Sequence, residues 1–398
     1  MNRLGFVLTL GAIAAVSATA IDICIPAIPE IGRMLGASPE AGAALVTGYL
    51  LGYGPGQLFW GPLSDRFGRI VCLYVALAGF IVTSIGCALA PSLDFLIVMR
   101  ILQGATGGGA PVIARAIARD QGGGKETATL ISTIMMLVGL GPLLGPLIGS
   151  GLLAIASWQA IFWFLALFGV ALVLGAFLFL GERRRRETRE GITAAQYVRR
   201  CLPLFRSPEF LLGIGISSSI FAGYAAILGA GAIVAQERYG IGPEAFGPVF
   251  AIAALSFVAG SALARYLLRR YEIEHVLLTG AVVAAASGLG FASFHASALP
   301  LTPFWGLLCL YTFAFGLVMP SSTAMALEPA GPIAGLASSL VGTVQAMVGA
   351  GSSVLVVSGL LGDSYRSLNL SIAAAGVAVL LLVLGHRRLA GARRPTGT

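Results

Sequence analysis

Apolar runs long enough to cross a bilayer recur twelve times along this 398-residue chain, at 4–31, 41–62, 70–90, 93–116, 127–155, 158–181, 208–236, 245–268, 274–295, 300–325, 333–360 and 366–386. About 20 apolar residues, each rising 1.5 Å in an α-helix, span the hydrocarbon core. Lipid offers no water to pair with backbone N–H and C=O groups, so such runs fold as helices. Only 11% of the residues are charged and 57% are hydrophobic, whereas soluble domains carry about 25% charged residues. The sequence therefore predicts an all-α membrane protein of twelve transmembrane helices. Its 54 glycines suit helices whose backbones pack closely in lipid. The first run contains Ala18-Thr19-Ala20, which resembles a leader cleavage site, but the uncharged stretch from Leu4 to Ile21 is too long for a signal peptide's apolar region. It reads as a retained span.

Lys and Arg set the orientation. With the N-terminus in the cytoplasm, 21 of the 25 basic residues fall on the cytoplasmic side, and only Arg33, Arg238 and Arg366 lie outside. The net charge of +8 is thus a topology and anionic-lipid signal rather than a nucleic-acid footprint. The basic stretch 182–207, with Arg183 to Arg186, divides the chain into an N-terminal six-helix bundle (1–181) and a C-terminal bundle with a short basic tail (208–398). Such a layout suggests repeated bundles, although internal repetition is faint: Gly61 and Arg66 after span two match only Gly260 and Arg265 after span eight. The five cysteines, at 24, 72, 87, 201 and 309, show neither paired spacing nor metal-ligand spacing.

Three stretches carry chemistry. After span two comes Gly61-Pro62-Leu63-Ser64-Asp65-Arg66-Phe67-Gly68-Arg69, in which two glycines permit a tight turn while a carboxylate and two guanidiniums meet the membrane face, where they can pair across bundles. Span four carries Arg100-Ile101-Leu102-Gln103-Gly104, then Arg115, Arg119 and Asp120. Span five carries Gly141-Pro142-Leu143-Leu144-Gly145-Pro146-Leu147-Ile148-Gly149-Ser150. Gly141, Gly145 and Gly149 recur every four residues as one smooth face, and Pro142 and Pro146 remove backbone donors and can bend the helix. Such a face suits a sliding contact between halves.

The loop at 61–69 resembles the signature loop of the major facilitator superfamily, with Ile70 where a further basic residue often follows. The span-five stretch resembles the antiporter motif of drug exporters, with Ser150 where a second glycine is often found. Ala20-Ile21-Asp22-Ile23-Cys24-Ile25-Pro26-Ala27-Ile28-Pro29, Pro320 to Leu327 and Ala334 to Leu340 extend the likeness to the Bcr/CflA group of drug:proton antiporters over nearly the whole chain. The resemblance implies two pseudo-symmetric bundles working by alternating access, a drug-like small molecule and a proton as partners, a lipid bilayer around a monomer, and an inner-membrane location with both termini cytoplasmic. It also implies that Asp65 and Arg69 with Asp120 clamp one state, with Gly61, Arg66, Gly68 and Arg115 completing that cytoplasmic gate.

Asp22 and Arg100 are the two charges that stand out inside the membrane, where an ionisable residue is costly and marks function. Asp22 lies about 27 Å along span one and Arg100 about 10 Å into span four, which descends from the outer face. The similar depths allow a shared polar cavity or a direct pair, and assign proton and substrate coupling to the two. Glu30 and Glu328 stand next in line. Gly122-Gly123-Gly124-Lys125-Glu126-Thr127 lacks the first glycine and the Ser/Thr of a phosphate loop, and the glycines at 104–109 follow no strand, so no nucleotide, cofactor or metal site is expected. No nucleophile elbow or metalloprotease pattern suggests an enzyme. Met135, Met136 and the aromatics Trp158, Phe162, Trp163 and Phe164 read as packing and interface residues. Export coupled to protons is the leading expectation. Proton-coupled or facilitated transport of a small metabolite is the alternative.

Overall fold

The computed structural model describes residues 3–121, 125–180, 199, 201–294, 299–358 and 360–393. Among these, all regular structure is helical. The helices are α1 (Arg3–Asp22), α2 (Ile28–Met34), α3 (Pro39–Gly42), α4 (Ala44–Phe67), α5 (Arg69–Ala88), α6 (Leu93–Gly107), α7 (Gly109–Arg119), α8 (Lys125–Val138), α9 (Gly141–Leu153) and α10 (Gln159–Phe179) in the first half. The second half contributes α11 (Pro208–Glu237), α12 (Pro243–Leu267), α13 (Ile273–Ser293), α14 (Leu301–Leu327), α15 (Ala334–Val357) and α16 (Ser364–Arg393).

Eleven of the described segments are long and apolar enough to cross a membrane, three of them formed by consecutive helices: α1 with α2, α6 with α7, and α8 with α9. Helix α4 is the other helix of transmembrane length, 24 residues, diluted in hydropathy by Gly48, Gly52, Gly54, Gly56, Gln57 and Gly61. The expected spans thus recur with small shifts, but spans one, four and five are each broken. In span five, Pro142 has no N–H to offer the Val138 carbonyl, and α8 ends there.

The chain separates into two compact units, Met1–Arg199 with Ala235–Ala251, and Arg200–Val234 with Ile252–Thr398. The division near residue 199 falls inside the basic stretch expected to link two bundles, most of which (181–198 and 200) lies outside the described residues, as do 122–124 of the phosphate-loop-like segment and the tail from 394. The grouping of 235–251 with the first unit is not anticipated by a division at the linker.

Each unit contains a pair of long helices in backbone contact. In the first, a Cβ on Gly52 would collide with the Ile101 carbonyl oxygen and one on Gly104 with that of Tyr49, so α4 and α6 touch main chain to main chain. Trp60 Nε1 closes the same seam with a 2.8 Å hydrogen bond to the Ala105 carbonyl. In the second unit, Gly260 meets the Phe313 carbonyl and Gly316 meets that of Phe257, so α12 and α14 repeat the arrangement. The repeat is therefore legible in which helices pack through glycine, though hardly in residue identity. The glycines at 104–109, set aside above as a nucleotide fingerprint, serve this packing.

Overfilling such a seam costs typically 1–3 kcal/mol, sometimes more. Gly52→Val is expected to lower the thermal midpoint of detergent-purified protein by several degrees and cut membrane yield. A midpoint equal to wild type would contradict backbone contact between α4 and α6.

Candidate functional site

The centre of the first unit is a break in the first span. Pro26 has no N–H to donate to the Asp22 carbonyl, and Pro29 none for that of Ile25. Helix α1 stops at Asp22, a 3₁₀ turn covers Ile25–Ala27, and α2 resumes at Ile28. Within the break the Cys24 N–H turns to the Ile21 carbonyl at 3.3 Å. The Ala20 carbonyl takes side-chain donors instead: the Cys24 thiol at 3.5 Å and Arg100 Nη1 at 3.2 Å. A helix interruption made by two prolines thus creates an acceptor for a buried cation.

Arg100 is fully buried. Its Nε donates to the Leu45 carbonyl at 3.3 Å and its Nη1 also to Gln103 Oε1 at 2.6 Å. Gln103 Nε2 donates in turn to Ser84 Oγ at 2.7 Å, and Ser84 Oγ to the Phe80 carbonyl at 2.6 Å. The guanidinium carbon sits 4.5 Å from the centre of the Tyr49 ring and 5.9 Å from that of Phe162, a cation–π setting that partly compensates desolvation. Arg100 Nη2 has no hydrogen-bond partner among the described residues.

Asp22 is 3% exposed. Among the described residues neither Asp22 nor Arg100 has an opposite charge within 4.0 Å. The two residues share the α1 break, but the direct pair that the sequence allowed is not formed. Arg100 binds the backbone two residues before Asp22, and the carboxylate and guanidinium are both left without a counter-ion among the described residues. Buried unpaired charges are expensive.

The antiporter-motif helix α9 covers the carboxylate. A Cβ on Gly141 would lie 3.7 Å from Asp22 Oδ2, and one on Gly145 would lie 2.6 Å from Asp22 Cβ and 3.1 Å from the Ile23 nitrogen. A Cβ on Gly149 would collide with the Ile23 carbonyl oxygen. The glycine face is therefore filled by the α1 break inside its own unit, which corrects the expectation of a sliding contact between halves. A smooth face was legible, but glycines carry no information about which helix they meet. Pro142 opens α9 and Pro146 lies buried within it.

At the cytoplasmic loop, Gly68 ends α4 with φ of 98°, a left-handed conformation that side-chain-bearing residues rarely adopt. The turn brings Arg69 back to Asp65, with which it pairs, and to Ser64 Oγ at 2.6 Å. Arg69 Nε also reaches Asp120 Oδ2 at 3.2 Å, tying the α4–α5 turn to the end of α7. Gly61 lends its carbonyl to Ser64 Oγ at 2.8 Å. Two expected gate members stand apart. Arg66 is exposed and stacks on Phe67, 5.3 Å from the ring centre. Arg115 makes no ion pair among the described residues. Of the reserve carboxylates, Glu30 is half-buried and Glu328 exposed.

Sequence reasoning missed Tyr49, Gln103 and Ser84 as the surroundings of Arg100. Gln103 was visible three residues after it, the spacing of helix neighbours, whereas Tyr49 and Ser84 come from other helices and left no signal. Phe162 and Trp158, buried and edge-to-face at 5.9 Å, are packing residues as expected, with Phe162 doubling as a wall beside Arg100.

Comparison with known proteins places these features in a family context. The sequence profile of the Major Facilitator Superfamily matches residues 10–354. An uncharacterised MFS-type transporter of Bacillus subtilis strain 168, YdgK, is 31% identical over 363 residues, covering 89% of each chain. The bicyclomycin resistance protein homolog of Haemophilus influenzae is 30% identical over 361 residues, again 89% of each chain. Among solved structures, a D-xylose-proton symporter superposes with a TM-score of 0.74 over 96% of each chain at 17% identity, a likeness of fold.

Asp65 and Asp120 act through one shared guanidinium in a partly wet setting, where each pair is worth about 1 kcal/mol or less. Asp65→Asn and Asp120→Asn are each expected to lower thermal stability slightly, and their effects are expected to be non-additive in a double-mutant cycle. Strict additivity would contradict the shared Arg69.

Proposed function

The chain belongs to the major facilitator superfamily, and from that premise we propose that it is a proton-coupled secondary transporter that exports drug-like small molecules by alternating access. One observation carries the reading: Asp22, a carboxylate buried in a bilayer-crossing segment, has no cation within 4.0 Å among the described residues. A carboxylate committed to a salt bridge cannot exchange protons readily, whereas an uncommitted one in a membrane span is suited to it. The drug-resistance name of the Haemophilus relative supports drugs as the cargo.

In this reading Asp22 carries the coupling proton. Arg100, anchored on the Ala20 carbonyl and Gln103, stands at the same break as the cation that makes the deprotonated carboxylate tolerable. Drug and proton compete for the region around the α1 break. The cytoplasmic triad of Asp65, Arg69 and Asp120 holds the α4–α5 turn to α7 and favours one of the two states. Because conformers that interconvert during transport differ by a few kcal/mol, a partly exposed triad is strong enough to bias them. Two six-helix bundles joined by 182–207 are the moving parts, and the molecule works as a monomer in the inner membrane with both termini cytoplasmic.

Transport class is tested in inverted membrane vesicles with bicyclomycin as the probe. An acid lumen is expected to drive its accumulation, and collapsing the gradient with a protonophore is expected to abolish it. Accumulation indifferent to the gradient would support facilitated transport instead. Orientation is tested separately by reporter fusions: alkaline phosphatase fused at Arg189 is expected to be inactive, and an active fusion would overturn the topology.

A further inference from the structure

The segment Ala235–Ala251, which connects α11 to α12, packs within the first unit. Two polar ties hold it there. Ser150 Oγ donates to the Pro243 carbonyl at 2.6 Å and accepts from the Gly247 N–H at 2.8 Å. At the other end, Gln236 Nε2 donates to the Pro26 carbonyl at 2.8 Å. Ser150 is 1% exposed.

The Ser150 tie is unusual in what it bridges. Pro243 C=O and Gly247 N–H are the i and i+4 groups that the first turn of α12 would pair with each other. The Ser150 hydroxyl bonds both groups from the neighbouring helix. The turn is already weak, since Pro248 has no N–H for the Glu244 carbonyl. Gly247 permits the approach: a Cβ there would collide with the Pro146 carbonyl oxygen and lie 2.9 Å from Ser150 Cβ. Pro146 and Ser150 are one turn apart on α9, beside the glycine face that covers Asp22. The same short helix therefore contacts the coupling carboxylate with Gly141 and Gly145 and the 243–247 turn with Pro146 and Ser150.

We propose that Ser150 and Gln236 form a latch that fastens the α11–α12 turn onto α9 and the α1 break, that the latch opens and closes once per transport cycle, and that α9 links its state to Asp22. The inference rests on the alternating-access reading above and adds residues to it: Ser150 and Gln236 are positioning residues that touch neither cargo nor proton. Because α9 is in contact at both faces, a shift of the α1 break on proton exchange moves the Ser150 hydroxyl relative to the turn it holds.

The test is pulsed electron–electron resonance on purified protein in nanodiscs, with nitroxides at Met34 on α2 and Ile241 in the turn, in a cysteine-free background. Ser150→Ala keeps the Cβ and removes only the hydroxyl. Two modest hydrogen bonds are lost, so the ratio of long to short distances is expected to rise roughly tenfold. Gln236→Leu, which leaves α9 untouched, is expected to shift the same ratio in the same direction. For both variants the turnover rate of bicyclomycin export is expected to change more than its KM. Distance distributions unchanged from wild type in both variants would overturn the latch. If the unsubstituted protein failed to transport bicyclomycin or any other probe, the transporter reading would fail instead, and the distances, measured without cargo, keep the two failures distinct.

Discussion

The arrangement of the first unit depends on a helix being interrupted inside a bilayer-crossing segment, where it is buried among its neighbours. A backbone in the hydrocarbon region must satisfy its own hydrogen bonds, yet Pro26 and Pro29 deny donors to Asp22 and Ile25. The protein resolves this by surrounding the break. The Ala20 carbonyl accepts from Arg100, the Pro26 carbonyl accepts from Gln236, and the glycine face of α9 lies against Asp22 and Ile23. Asp22 is thus placed where the main chain itself demands polar partners.

From this follows an asymmetry between the two charges. Arg100 is fixed by two carbonyls, an amide relay through Gln103 and Ser84, and two aromatic rings. Asp22 has backbone and glycine around it and no counter-ion among the described residues. The cation is thus committed to its scaffold, whereas the carboxylate is not committed to a salt bridge. The cytoplasmic triad has the opposite character: partly exposed, fully paired and individually weak, it is suited to biasing a conformational balance.

Much of this was legible in the sequence. Twelve spans, their orientation signal, the loop at 61–69 and the α9 glycine stripe all rest on local periodicity and composition, which survive without tertiary knowledge. Asp22 and Arg100 stood out because ionisable residues in apolar runs are rare. Their lack of a pair was not legible, because the depth argument treats span one as a straight rod, whereas the break at Pro26 creates the Ala20 acceptor that captures Arg100. Arg66 and Arg69 look equivalent as letters, but only Arg69 follows the left-handed Gly68 and turns back onto Asp65. The partners of a glycine stripe, and the reach of Ser150 to residues 243 and 247, are long-range facts with no local signature.

In the proposed mechanism Asp22 exchanges its proton when cargo binds. The direct measurement is pH-dye fluorescence of purified protein in weakly buffered detergent solution on addition of bicyclomycin. Wild type is expected to release protons, and Asp22→Asn, which keeps the side chain's size and removes its titration, is expected to release none while still binding the drug. Proton release from Asp22→Asn equal to wild type would show that the coupling carboxylate lies elsewhere in the chain.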